Sequence, residues 1–118
     1  MNNMPLKLKN KIFNNKANFI CRLRDMHCKG KIEQHHNFYY AGKQIQEEWA
    51  IISLCEHHHS LVKTPEIRKK LAWIGLNRLF NLNNNELKEQ EKKYSKVFLD
   101  WKRQVIFLNK IYGRYKKT

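Results

Sequence analysis

The chain has 118 residues and a mass of 14.4 kDa, enough for one domain and too little for two ordinary ones. Hydrophobic residues make up 42%, and no stretch approaches the roughly 18 consecutive apolar residues of a membrane span, which excludes both a disordered polyelectrolyte and a spanning helix. Formal net charge is +14, so the expected partner is a polyanion, a nucleic acid, with no role for a membrane.

The charge is unevenly spread. Residues 1–20 carry four Lys and no acid, residues 21–60 carry five basic and five acidic side chains, and residues 61–118 carry fifteen basic and five acidic. A neutral centre between cationic flanks suits a polyanion held by the flanks while the centre acts on it locally. The expected division is a basic arm over 1–20, a module over 21–63 and a basic helical extension over 64–118, all in one compact domain. The first seven residues hold no apolar run of signal-peptide length, and three cysteines cannot all pair within one chain. A reducing cytoplasm is therefore the expected setting.

In chain order, residues 1–20 show no clear period, with a short strand expected at 17–21. Gly30 follows Cys28 by two, as a tight knuckle that needs positive φ requires. The segment 31–37 reads as a strand, 38–48 as a long connection, and 49–54, a compact apolar run with β-branched centres, as a second strand. A helix opens at Cys55. Thr64, Pro65 and Glu66 combine an N-cap, a first-turn proline and an acid, so a second helix is expected from there to Phe80, carried by Ile67, Leu71 and Ile74. The asparagines at 81–85 interrupt it, and one long helix is expected over 86–112. Tyr94, Phe98, Trp101, Val105, Leu108 and Tyr112 step by four and three along it, a heptad-like seam that packs on the 65–80 helix as a hairpin or on a second subunit as a homodimer. Trp and Phe in such a seam are core by burial preference rather than base-stacking platforms.

All six histidines and all three cysteines lie between Cys21 and His59. Thiolate and imidazole are the usual ligands of zinc, and nine of them exceed what one tetrahedral ion can use. Cys21, Cys28, Cys55 and His58 make two knuckles that a strand hairpin brings together, giving a structural Cys₃His zinc site. The gap between Cys21 and Cys28 is long for a knuckle, which leaves open Cys21 as a buried apolar thiol with His27 or solvent as fourth ligand. His35 and His36 are adjacent, so on a strand they point to opposite faces and suit two roles, metal ligand and proton acceptor. On a helix His59 points away from His58, toward the groove of His35, with Lys63 four residues further along the same face to hold a phosphate oxygen. His57 is left exposed and without a role.

At these residues the chain resembles the HNH, or ββα-metal, endonucleases. The resemblance covers about 21–63: paired cysteines, Glu33-Gln-His35-His36, a loop with Gly42, an apolar strand, then Leu54-Cys55-x-x-His58-His59. The family's middle Asn has no counterpart near Trp49 and Ala50, and His58 stands where a fourth Cys is more frequent. The resemblance implies an α+β fold, a zinc-stabilised ββα-metal finger followed by a helical, basic C-terminal hairpin. It implies that His35 and His59 hold a catalytic Mg²⁺, Mn²⁺ or Ni²⁺, and that His36 is the general base. Small basic members of this kind occur in bacteriophage genomes and serve recombination or DNA packaging, so it also implies a phage-type protein in host cytoplasm.

The implied chemistry is physically coherent. Phosphodiester hydrolysis needs a proton acceptor for the attacking water, which an imidazole with an ordinary pKa of roughly 6.5 supplies. It also needs a cation on the scissile phosphate and leaving oxygen. Two other readings fit the same residues: a zinc-dependent nucleic-acid-binding module without catalysis, and a protein-binding zinc module such as a phage-encoded inhibitor of a host factor.

Overall fold

A pair of antiparallel strands lies at the centre of the fold. In the computed structural model, which describes residues 4–115, β1 (Ile32–His36) pairs antiparallel with β4 (Ile51–Cys55). His35 lies opposite Ile52, His36 opposite Ile51, and Glu33 opposite Leu54. All five residues of β4 are buried, which is why its sequence is apolar on both faces except for Ser53, whose hydroxyl donates to the Ile20 carbonyl at 2.6 Å. The backbone N–H of Arg22 donates to the carbonyl of Ser53 at 2.9 Å, so the first cysteine segment lies along the free side of β4.

Between these strands the chain is more ordered than the sequence implied. β2 (Tyr39–Tyr40) and β3 (Lys43–Gln44) form a small antiparallel hairpin in place of an irregular connection. Ala41 and Gly42 turn it with φ of 53° and 79°, the both-positive geometry of a tight two-residue hairpin turn. Ala is a poor marker for that turn, so the signal is weak in the sequence. A short 3₁₀ turn, Glu48–Ala50, then delays the start of β4 by two residues relative to the expected strand.

Two expectations for the N-terminal region change. Residues Leu6–Phe13 form α1, which buries Leu8 and Ile12 against Ile51. Those two are four apart on one helix face, but lysines and asparagines around them dilute the period. The segment Lys16–Phe19 is a 3₁₀ turn and not a strand: Asn15 accepts from the N–H of Ala17, and buried Asn18 bonds the carbonyl of Ile12 and the carboxylate of Glu48. Side-chain bonds of this kind compete with strand pairing.

After β4 come α2 (Glu56–His59), α3 (Pro65–Phe80), α4 (Asn84–Lys93) and α5 (Ser95–Tyr112). The fold is therefore α+β, with two small two-stranded sheets and several helices. The single long helix expected over 86–112 is broken at Tyr94, whose φ of −118° and ψ of 36° leave the helical region. The break has a tertiary cause. The Tyr94 ring is buried 5.2 Å from Tyr40 and 5.6 Å from Trp101, and its hydroxyl donates to Glu47 at 3.0 Å. Glu47 also accepts from Gln90 at 3.2 Å and Lys93 at 2.7 Å, and Trp49 donates to Gln90 at 3.0 Å. Burial, then the Glu47 charge, push the Tyr94 phenol well above its ordinary range, so it stays a donor.

The seam itself is formed as expected. Tyr94, Phe98, Trp101, Val105 and Leu108 are buried with Trp49, Leu76 and Leu79, and α5 packs on α3 as a hairpin. Trp49 and Trp101 meet at 5.3 Å and 71°. Gly75 of α3 leaves room for the Phe38 ring, which a β-carbon there would meet. A smaller cluster of Ile52, Leu54, Leu71 and Ile74 joins α3 to the strands and ends at Cys21 and Cys55. Among the described residues no helix is long and apolar enough to cross a membrane.

Candidate metal centre and histidine cluster

The two knuckles meet at one end of the strand pair. Cys55 ends β4 and caps α2, its sulfur accepting from the N–H of His58 at 3.5 Å, which fixes Cys55 and His58 three residues apart on one turn. Cys21 and Cys28 come from the segment beside β4, closed by Gly30 with a φ of 87°. The N–H of His57 donates to the carbonyl of Lys29 at 3.2 Å and ties one knuckle to the other.

Nδ1 of His58 lies 3.1 Å from the sulfur of Cys55, 3.5 Å from Cys21 and 3.6 Å from Cys28, and all four ligand atoms fall within 4.8 Å of one another. A tetrahedral ion about 2.3 Å from sulfur and 2.0 Å from nitrogen places its ligands roughly 3.5–3.8 Å apart, so the spacing fits a metal ion. Cys21 belongs to this cluster, which leaves no ligand role there for His27. Cys21 and Cys55 are buried and free of disulfides, as is the half-buried Cys28. Burial pushes the Cys21 thiol up to about 11. Burial works the same way on Cys55, but hydrogen bonds from the backbone of His58 and Lys29 outweigh it and bring that thiol down to about 6.

Asp25 completes this end. Nε2 of His58 donates to its carboxylate at 3.3 Å, while the N–H of His27 donates to the other oxygen at 2.8 Å. That N–H bond, and then His58, hold the Asp25 carboxyl below its ordinary range. A carboxylate on the far nitrogen of a ligating imidazole fixes its tautomer and raises its basicity.

The second cluster sits one residue along α2. Nδ1 of His59 donates to Glu33 at 2.6 Å, which leaves Nε2 as the nitrogen with a free lone pair. The His35 ring is 5.1 Å from the His59 ring and edge-on at 62°. Glu33 and His35 share one face of β1 by the two-residue period. Side-chain exposure is 34% at His59 and 47% at Glu33, against 4% at His58, so this cluster is open where the thiol cluster is closed. Burial and then the neighbouring His59 hold His35 below the ordinary imidazole value, so it is neutral at pH 7.

The remaining predicted residues fall elsewhere. His36 is on the opposite strand face, buried, with Nε2 donating to Gln46 at 3.1 Å and Nδ1 without a hydrogen-bond partner among the described residues. The structure thus brings His35 and His59 together and leaves His36 apart from them. Lys63 is exposed on a turn, not on a helix face shared with His59, because α2 ends at His59. The hydroxyls of Ser60 and Thr64 bond the carbonyls of His57 and Leu61 at 2.6 and 2.8 Å and stop the helix there. His57 is half-buried rather than exposed, its ring 5.0 Å from His58 and 6.1 Å from His27.

Asp25, Glu33 and Gln46 had no assigned role in the sequence. The signal for Glu33 was its place two residues before His35. Asp25 is an acid inside a cysteine knuckle, and Gln46 carries no local sign at all. Comparison with family models, with curated proteins and with solved structures gives no match.

Proposed function

We propose that this protein is a metal-dependent endonuclease acting on DNA, with a structural zinc held by Cys21, Cys28, Cys55 and His58. His35 and His59 would hold a catalytic Mg²⁺, Mn²⁺ or Ni²⁺. The observation that carries the reading is the Glu33–His59–His35 cluster. It is an open imidazole pair with a carboxylate behind one member, beside a closed soft-ligand site. The order β1, β4, α2 supports the same reading, as does its resemblance to the ββα-metal endonucleases in Glu33-x-His35-His36 and Leu54-Cys55-x-x-His58-His59.

The residues have separate tasks in this reading. Neutral His35 and the free nitrogen of His59 orient the cation, and Glu33 keeps His59 in the ligating tautomer. The cation supplies charge stabilisation at the scissile phosphate. His36 accepts the proton of the attacking water, which requires water to reach its Nδ1. Exposed Lys88, Lys92, Lys102, Arg103 and Lys110 on α4 and α5, in no ion pair among the described residues, supply sequence-independent affinity for phosphates.

The burial of His36 and its bond to Gln46 favour a second reading, a zinc-braced nucleic-acid-binding module without catalysis. Nicking of supercoiled plasmid with each of the three divalent cations separates the two. Cleavage that His36→Ala abolishes, with zinc content and DNA affinity unchanged, is the expected result. No nicking by the wild type with any of the cations would establish the binding module instead.

A further inference from the structure

A cavity of about 550 Å³ lies among the Cys21 segment, α3 and the residues that follow α5. Its size falls within the roughly 300–1,000 Å³ of small-molecule sites. Trp73 and Tyr115 line it, their rings 5.3 Å apart and edge to face at 82°. Cys21 and Ile74, both buried, add to its apolar lining. The Trp73 N–H is already committed, donating to Asn109 at 2.8 Å and to the Gly113 carbonyl at 3.2 Å. The indole therefore offers an incoming ligand its ring surface and no hydrogen.

Arg22, Arg24 and Arg114 also line the cavity, and no Asp or Glu does. Arg22 donates to Asn18 at 3.1 Å and so helps to shape the wall. Arg24 and Arg114 are exposed, and their guanidinium groups have neither hydrogen bond nor ion pair among the described residues. Two unneutralised cations at an aromatic-walled cavity define the ligand by chemistry. It has a flat ring for Trp73 and Tyr115 and an anionic group in reach of the arginines.

We propose that this cavity binds one nucleotide, with its base against Trp73 and Tyr115 and its phosphate on Arg24 and Arg114. A base of any identity has a π face, so such a site tolerates sequence, whereas duplex DNA with its bases stacked cannot fill it. The nucleotide comes either from an unpaired position in a strand or from the free pool, and the chemistry is common to both. The inference shares with the proposed function only a nucleic-acid ligand, and it stands whether or not the chain cleaves.

The test is equilibrium binding by the full zinc-loaded chain without added divalent cation, so that cleavage plays no part. A short single-stranded oligonucleotide and the same strand made abasic are the probes. The intact strand is expected to bind the wild type about tenfold more tightly than the abasic one, a comparison that needs no variant to fold. Arg24→Gln with Arg114→Gln should weaken the intact strand about tenfold, and Lys88→Gln with Lys92→Gln on α4, an equal loss of charge, about threefold or less. Competition by deoxyadenosine monophosphate assigns the cavity to free nucleotides, and its failure alongside an abasic penalty assigns it to a strand; each upholds the site. Equal affinity for intact and abasic strands, equal losses in the two double variants, or competition by inorganic phosphate as effective as by the nucleotide would overturn it.

Discussion

His58 and His59 are consecutive, yet they belong to two clusters of opposite character. His58 is 4% exposed and faces three sulfurs, with Asp25 on its other nitrogen, while His59 is 34% exposed and faces one imidazole, with Glu33 on its other nitrogen. The α-helical rotation of about 100° between neighbours separates them. Each imidazole is held by a carboxylate, but through opposite nitrogens: Nε2 of His58 on Asp25 leaves Nδ1 to the sulfurs, and Nδ1 of His59 on Glu33 leaves Nε2 toward solvent and His35. Three soft donors and burial would enclose an ion and let it stabilise the fold. In the proposed function, a cation on two surface imidazoles would keep positions for water or phosphate.

The largest effect should come from breaking the closed cluster. Cys55→Ser removes the thiol that hydrogen bonds bring down to about 6, one of the four potential ligands. Binding of a structural zinc contributes on the order of 10 kcal/mol in small metallodomains, so the variant is expected to lose its cooperative thermal transition. Elemental analysis should find about one zinc per wild-type chain; folded protein with no zinc would remove the distinction between the clusters.

Breaking the open cluster should leave the fold alone. His59→Ala is expected to reduce plasmid nicking by about a hundredfold or more, with Tm and zinc content unchanged and partial recovery in excess Mn²⁺. If Tm falls as far as in Cys55→Ser, both clusters are structural.

The carboxylates sharpen the comparison at a finer level. Glu33→Gln keeps the shape but loses the charge behind His59, and about tenfold weaker activation by the divalent cation is expected at the same zinc content. Asp25→Asn should do the converse, weakening zinc by about tenfold in a chelator competition and lowering Tm by a few degrees, with cation activation unaltered. Crossed results, in which Glu33→Gln loses zinc, would mean that the two sites exchange ligands.

Much of this comparison was legible in the chain. The second strand of the pair follows from an apolar run, the Thr64-Pro65 helix start from local capping chemistry, and the helical hairpin from the four-and-three seam that the structure buries. Cys55 and His58 were identifiable from their knuckle spacing, whereas the long gap between Cys21 and Cys28 left Cys21 open until the fold brought all four ligand atoms together. The break at Tyr94 was not legible, since local propensity favours helix on both sides and the departure is fixed by Glu47, Tyr40 and Trp101 from distant segments. The same holds for α1, which is helical because Ile51 covers its one apolar face.

What the sequence by itself determined is the inventory and its local geometry: which residues carry metal-ligating groups, that His35 and His36 take opposite strand faces, and that His58 and His59 diverge on a helix turn. What only the tertiary structure decided is which of those residues meet. Strand register put Glu33 and His35 under His59, and burial took His36 toward Gln46. Packing of the residues that follow α5 against α3 set Arg114 and Tyr115 beside Trp73 and the Cys21 segment. Side-chain direction is a property of a few neighbouring dihedrals and can be read locally, whereas proximity between segments depends on the packing of the whole core.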